Sequence, residues 1–297
     1  MEVDDLPLNA VLAIGTHNSS HVETVERPEW DFTHPPLAEQ VALGVRQFEL
    51  DVWWDNELGD FDVYHIPILD QGVNCLRLTG CLADLAGAIE PDQIPLTILI
   101  EVKDAYDPDD GPSRLAALDA AVMQAFGPLG VFVPEDLLGE APDLAAAAEA
   151  GWPRLAAVRG KAWAILHADG AWRDAYTDND TSVAGAVLWA DGSGDTSVRM
   201  AAFHAMNDPF NPSIASVVEA GGIVRTRADG DVDEAANNDT AQRDAALASG
   251  AHFVSTDFPT PHPTSGYVVT LPDGVACNPV AAPPDCTPDR IEGPQAR

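Results

Sequence analysis

Lysine is almost missing from this chain. Only Lys103 and Lys161 occur among 297 residues, and 15 basic residues face 48 acidic ones, a formal net charge of −33. Affinity for nucleic acid rests on Lys and Arg neutralising phosphates, so that class of partner is excluded, and electrostatic adhesion to anionic membranes is disfavoured. Two readings of the acidity stay open: adaptation to high salt, where screening relieves self-repulsion, or an acidic exported protein from an arginine-preferring, alanine-rich genome. Long apolar runs are also lacking. None approaches the roughly 20 residues of a spanning helix, which implies a soluble or peripheral protein. There is no low-complexity tract, no heptad run and no repeat. The opening Met1-Glu2-Val3-Asp4-Asp5 has neither cationic start nor apolar stretch, so it reads as lacking a signal peptide.

No Cys-x-x-Cys spacing occurs, which argues against a zinc site. The four cysteines fall instead into two local pairs, Cys75 with Cys81 and Cys277 with Cys286. Such pairs imply two disulfides and an oxidising compartment, hence a secreted or periplasmic protein whose leader was removed, with Met1 supplied for expression.

With 46% hydrophobic residues the chain can bury a sizeable core, and a single α/β barrel of about 250 residues would use most of it. Strand-like runs are expected at 10–14, 45–54, 96–102, 161–166, 184–189, 200–205, 223–227 and 252–256. Helices are expected at 37–45, 82–89, 114–126, 143–150, 212–220 and 239–249. This alternation predicts one (β/α)8 TIM barrel spanning 1–297, irregular between its fourth and sixth strands, with a strand-like tail at 267–271 inside a disulfide-closed extension at 267–297.

Several of these runs end in reactive groups, as barrel strands do at their C-terminal mouth. The first delivers Gly15-Thr16-His17-Asn18-Ser19. In the second, Glu49 and Asp51 are two apart and share one strand face. His65 follows Phe61-Asp62-Val63-Tyr64, and Ile98-Leu99-Ile100 leads to Glu101. Three carboxylates and the Asn18 amide make an oxygen-only set suited to a hard cation, which takes roughly 6–8 oxygen ligands. Residue type alone does not separate Ca²⁺ from Mg²⁺. On this reading Glu49→Gln weakens metal binding and leaves the fold largely intact. His17 and His65 suit phosphoryl transfer, because an imidazole can hold charge near a phosphate oxygen or hand a proton to a leaving alkoxide near neutral pH. Lys103 shares a strand face with Glu101 and either contacts phosphate or pairs with a neighbouring carboxylate. Arg225 and Arg227 likewise share a face and offer planar forks to phosphate or hydroxyl groups. His21, His34 and His204 receive no role, and at least one of Trp53 and Trp54 is expected in the core.

Gly15-Thr16-His17-Asn18-Ser19, Glu49-Leu50-Asp51, His65 and Ile100-Glu101-Val102-Lys103 together resemble the phosphatidylinositol-specific phospholipase C family, most closely its calcium-dependent bacterial members. The resemblance implies a phosphodiesterase-type TIM barrel in which Asn18, Glu49, Asp51 and Glu101 match the calcium ligands. It further implies that His65 protonates the leaving diacylglycerol oxygen and His17 stabilises the charged phosphorane. The base for the inositol 2-hydroxyl is left open among Glu49, Glu101 and His17. Internal attack by that hydroxyl would give inositol 1,2-cyclic phosphate. Residues 162–167 carry no lysine pair of the kind that grips added ring phosphates in eukaryotic members, which favours an unphosphorylated headgroup. Peripheral membrane contact and oligomeric state stay open.

Two other readings compete. A glycerophosphodiester phosphodiesterase is also a metal-dependent barrel with a Glu-x-Asp pair, but that family usually opens with His-Arg-Gly, where this chain has His17-Asn18-Ser19. A catalytically idle barrel that binds inositol or calcium would have no need of two titratable groups beside a phosphate.

Overall fold

Alternation along the apolar runs becomes a closed sheet in the computed structural model, which describes residues 6–24, 30–168, 170–230, 232–272 and 274–292. Among these residues ten strands form: β1 (Val11–Thr16), β2 (Gln47–Asp55), β3 (Asp60–Val63), β4 (Leu96–Val102), β5 (Ala162–His167), β6 (Trp189–Asp191), β7 (Ala201–Ala205), β8 (Ile223–Arg227), β9 (Phe253–Thr256) and β10 (Val275–Cys277). Eight of them run parallel in the order β1-β2-β4-β5-β6-β7-β8-β9, and β9 pairs back onto β1 to close the barrel. β3 folds antiparallel onto β2, and β10 antiparallel onto β1.

Helices α1 (Leu37–Ala42) and α2 (Leu78–Ala86) follow β1 and β3. Four more, α3 (Gly111–Phe126), α4 (Pro134–Leu138), α5 (Leu144–Ala150) and α6 (Leu155–Val158), lie between β4 and β5. α7 (Gly170–Tyr176) joins β5 to β6, α8 (Ser213–Glu219) joins β7 to β8, and α9 (Val232–Asn237) with α10 (Ala241–Ala248) joins β8 to β9.

The period of two in β2 sorts its residues between layers. Phe48, Leu50 and Val52 face outward into a cluster with Leu37 and Val41 of α1, Leu78 and Leu82 of α2 and Leu118 of α3. Glu49 and Asp51 therefore face the barrel axis. Inside, Leu99, Trp163, Ile165, Trp189, Phe203 and Phe253 fill the lower barrel, with Leu6, Leu8, Phe132 and Trp152 beneath them. Trp163 alone meets five aromatic rings, those of Phe132, Trp152, Trp189, Phe203 and Phe253. This plug separates the C-terminal mouth from the other end of the barrel, where a buried Arg46–Glu292 pair sits.

Three expectations need correction. The strand expected at 184–189 begins only at Trp189, because Gly185 turns the chain at φ +73 and the Val187 and Leu188 N–H groups donate to Tyr176 Oη instead of to a strand. The stretch 267–271 is no strand: Tyr267 is buried with its hydroxyl donating to the Ala228 carbonyl, and the strand of this region is β10, eight residues past Tyr267. α2 starts at Leu78 rather than 82, so Cys81 lies on the helix. Both cysteine pairs are bonded as expected, Cys75 to Cys81 and Cys277 to Cys286. Residues 1–5, on which the signal-peptide reading rests, and 25–29 of the loop after β1 lie outside the described residues. No described helix is long and apolar enough to cross a membrane.

Candidate active site

The turn after β1 is built by close approach. A Cβ on Gly15 would lie 2.1 Å from Oε1 and 3.0 Å from Cβ of the buried Gln47 side chain, so a larger residue there would have to push that side chain aside. Beyond it, Ser19 exchanges two bonds with Glu49: its N–H donates to the Glu49 carbonyl at 2.9 Å, and its Oγ accepts the Glu49 N–H at 2.8 Å. Asn18 turns at φ +45, a conformation Asn tolerates better than most residues. His17 and Asn18 are thereby fixed beside β2.

Parallel register sets the rest of the mouth. Asp51 stands opposite Glu101, and Glu101 opposite His167. One carboxylate oxygen each from Glu49, Asp51 and Glu101 lie within 4.8 Å of one another. Asn18 Oδ1 and both Asp51 oxygens are buried and lack a hydrogen-bond partner among the described residues, Asp51 Oδ2 having only an ion pair at 3.5 Å to Lys103. Buried acceptors left without donors are costly unless something electropositive meets them. A hard cation with oxygen ligands does so, and the donor set present fits one.

The three acids are not electrostatically alike. Burial works to raise Glu49, yet Arg225 beside it, then His17, bring it down to about 2. Arg225 is itself fully buried and donates to Glu49 Oε2 and Asn207 Oδ1. Asp51 is pushed well above the usual aspartate range by burial and by the neighbouring Glu101, against the pull of Lys103. Lys103 Nζ donates to Glu101 at 2.7 Å. Glu49 is thus held low by its buried cation, whereas Asp51 is held high by burial and a like charge.

The histidines stand on two sides of this trio. His17 Nε2 lies 3.8 Å from Glu49 Oε1, while its Nδ1 lies 2.8 Å from Asp257 Oδ1. Arg227 reaches 3.1 Å to Asp257 Oδ2 and 3.4 Å to His17 Nε2. His65 shares a small cavity with Asn18 and Asp51, and its Nδ1 lies 3.0 Å from Asp70 Oδ2. The other oxygen of Asp70 lies 3.0 Å from Nε2 of His21. Although burial raises it, bonds to His21 and His65 hold Asp70 at about 2. Beside Asp257 a groove of about 530 Å³, lined by Phe32, Phe258 and His262, opens to solvent.

All nine residues singled out in the sequence gather at one end of the barrel: His17, Asn18, Glu49, Asp51, His65, Glu101, Lys103, Arg225 and Arg227. Of the three basic ones, Arg227 is the cation next to a histidine, while Arg225 and Lys103 are engaged with carboxylates. Sequence reading missed Asp70, Asp257 and His167. His167 ends β5 beside Glu101, 3.9 Å away; burial would lower it, but its bond to Asp191 at 2.9 Å and the site's carboxylates raise it to about 9. Both Asp257 and His167 stand where an apolar run gives way to chemistry, the same signal that marks His17. Asp70 carries no such signal, since it sits in an irregular loop.

Residues 59–279 match the family described as phosphoinositide phospholipase C, Ca²⁺-dependent. Among solved structures, a calcium-dependent phosphoinositol-specific phospholipase C from Pseudomonas sp. in complex with myoinositol superposes with a TM-score of 0.63 at 18% identity, covering 85% of this chain and 91% of that one. A Ca²⁺-dependent phosphatidylinositol-specific phospholipase C from Streptomyces antibioticus gives 0.61 at 20% identity, over 84% of this chain and 94% of that one. At these identities the superpositions speak for the barrel fold. No curated protein sequence matches.

Proposed function

Since the chain belongs to the Ca²⁺-dependent phosphoinositide phospholipase C family, we propose that this phosphodiesterase cleaves phosphatidylinositol, releasing diacylglycerol and inositol 1,2-cyclic phosphate. One observation carries the reading. Buried oxygens without donors, on Asn18 and Asp51, lie between two histidines that are each backed by a carboxylate. That arrangement suits a phosphate held over a cation site with a proton carrier at either end.

Asn18, Glu49, Asp51 and Glu101 would hold calcium. When bound, the ion supplies positive charge against the phosphate and acidifies a nearby hydroxyl. His17, oriented by Asp257, faces the nucleophile's side, and Arg227 beside it takes a phosphate oxygen. Arg225 and Lys103 act through charge, paired with Glu49 and Glu101 respectively. At the other side His65 gives its proton to the departing glycerol oxygen, with Asp70 holding the ring. The inositol 2-hydroxyl next to the phosphoester needs no capture from solution, an advantage of several kcal/mol.

The test is phosphorus NMR of phosphatidylinositol, glycerophosphoinositol and glycerophosphocholine incubated with the protein, with and without Ca²⁺. The expected first product is the cyclic phosphate, formed only with Ca²⁺ and unlabelled when the water carries ¹⁸O. Full activity after exhaustive chelation rejects the metal, and label in the earliest phosphate rejects internal attack.

A further inference from the structure

Behind the His17–Asp257 pair lies a second carboxyl that the chemistry above leaves unused. Asp229 comes two residues after β8 and has no exposed surface. Its Oδ1 accepts the backbone N–H of Asp257 at 2.9 Å. Its Oδ2 accepts the Thr256 hydroxyl, and the Tyr267 hydroxyl lies 3.3 Å from the same oxygen. Thr256 Oγ1 in turn accepts the Phe258 N–H at 2.9 Å. One side chain therefore clamps the backbone turn 256–258 from which Asp257 projects. The same turn also accepts the Val269 N–H at the Phe258 carbonyl, 3.0 Å, and the His17 N–H at the Thr256 carbonyl, 3.2 Å, but among the described residues only Asp229 holds the N–H of Asp257 itself.

We propose that Asp229 is a positioning residue for His17, acting through Asp257. This rests on the role given to His17 above. Asp257 sends one oxygen to His17 Nδ1 and the other to Arg227, so a small rotation of its backbone would unseat both contacts at once. Misplacing a catalytic group by about 1 Å can cost on the order of 100-fold in rate.

The electrostatics fit a clamp that is itself uncharged. Two buried carboxyls joined by one N–H cannot both ionise cheaply. Burial, then the charge of Asp257, push Asp229 up to about 7, against the pull of Thr256, the Asp257 N–H and Arg227. Burial also raises Asp257, but His17 and Arg227 outweigh it and hold Asp257 below the usual carboxylate range. The groups facing Asp229 are thus Asp257, Thr256, Arg227 and Tyr267, the last covered by Arg243, whose guanidinium sits 5.7 Å from its ring centre. Environments that drive two acids apart assign them different tasks. Here Asp257 orients the imidazole, and Asp229 orients Asp257.

An amide imitates a protonated carboxyl, which gives the experiment its contrast. Asp229→Ala should lower kcat about 10- to 100-fold while KM for phosphatidylinositol stays within about twofold. Asp229→Asn should keep kcat at neutral pH within about threefold. A second readout needs no substrate: the low-field proton resonance of the His17 Nδ1–H, identified by its loss in Asp257→Ala, should persist in Asp229→Asn and broaden or move upfield in Asp229→Ala. Should the alanine variant not fold, Tyr267→Phe takes its place and should move the same resonance to a smaller degree. A folded Asp229→Ala with unchanged kcat and resonance overturns the proposal, as does an Asp229→Asn variant as impaired as the alanine. Absence of phosphatidylinositol turnover in the wild type would instead count against the functional reading, and the resonance would still decide the position of Asp257.

Discussion

Asp51 and Glu49 show how differently two acids on one strand face respond to substitution. Glu49 is tied to Arg225 in the interior, so Glu49→Gln leaves a buried guanidinium without its anion, a cost of about 3–5 kcal/mol. The expectation that this change spares the fold is revised accordingly. Asp51 has the opposite balance. Its carboxyl is raised in the fold, so its contribution is present below the ordinary aspartate pKa and is lost as pH rises through the higher folded value. The Asp51 part of the ion-free protein's stability should therefore fall on going from acid toward neutral pH, and Asp51→Asn should remove that part. Thermal melts at several pH values in chelator, with calorimetric Ca²⁺ titration alongside, check this: the asparagine variant should melt at or above wild type near neutrality and bind Ca²⁺ far more weakly. A variant that melts well below wild type would show that Asp51 is stabilising without the ion. His65 has its own test. As an acid it matters only for a poor leaving group, so His65→Ala should lose more rate on a glycerol-type alkoxide than on an activated phenolate. Equal losses would remove it from that role.

At the level of elements, the β2–β3 hairpin and its following loop carry Glu49, Asp51, His65 and Asp70, and Cys75–Cys81 staples that loop to α2. Closing so short a loop is worth about 2–3 kcal/mol by chain entropy. Replacing both cysteines with serine should lower the denaturant midpoint by that order and raise the mobility of 66–77, seen as faster amide exchange there. Exchange unchanged in that segment would mean the loop is held by Asp70 and its histidines alone. This region also marks the limit of what sequence could disclose. The apolar runs of β1, β2, β4, β5, β7, β8 and β9 are readable because burial on a barrel wall imposes them. β6 has three residues and was misplaced, since its upstream apolar residues serve loop packing around Tyr176. Glu49, Asp51 and Glu101 were visible because a strand's period fixes which way they point. Asp70 was not, because its contact to His65 depends on a loop whose path no periodicity encodes.

For the whole molecule, charge is the dominant fact. A net charge of −33 on a barrel that already gathers three carboxylates at its mouth favours expansion at low ionic strength. The melting temperature should rise steadily as NaCl goes from about 10 mM to about 1 M, over which the screening length falls from roughly 30 Å to 3 Å. A midpoint that does not move would mean the acidic groups are spaced too widely to repel. The Asp257 and His167 positions also belong to this scale: each became meaningful only once strands far apart in sequence stood side by side.

The first and last barrel strands are hydrogen-bonded neighbours, and His17 and Asp257 meet across that seam from positions 240 residues apart. The chemistry is thus split between two segments far apart along this sequence. Local contacts can form α3 or the β2–β3 hairpin quickly, but the seam requires a large loop to close, which is slow. Until it closes the imidazole has no carboxylate behind it, so the His17–Asp257 pair forms only with the finished barrel. Closure of the barrel and completion of the pair are therefore a single event, and loosening β1 from β9 should cost both together.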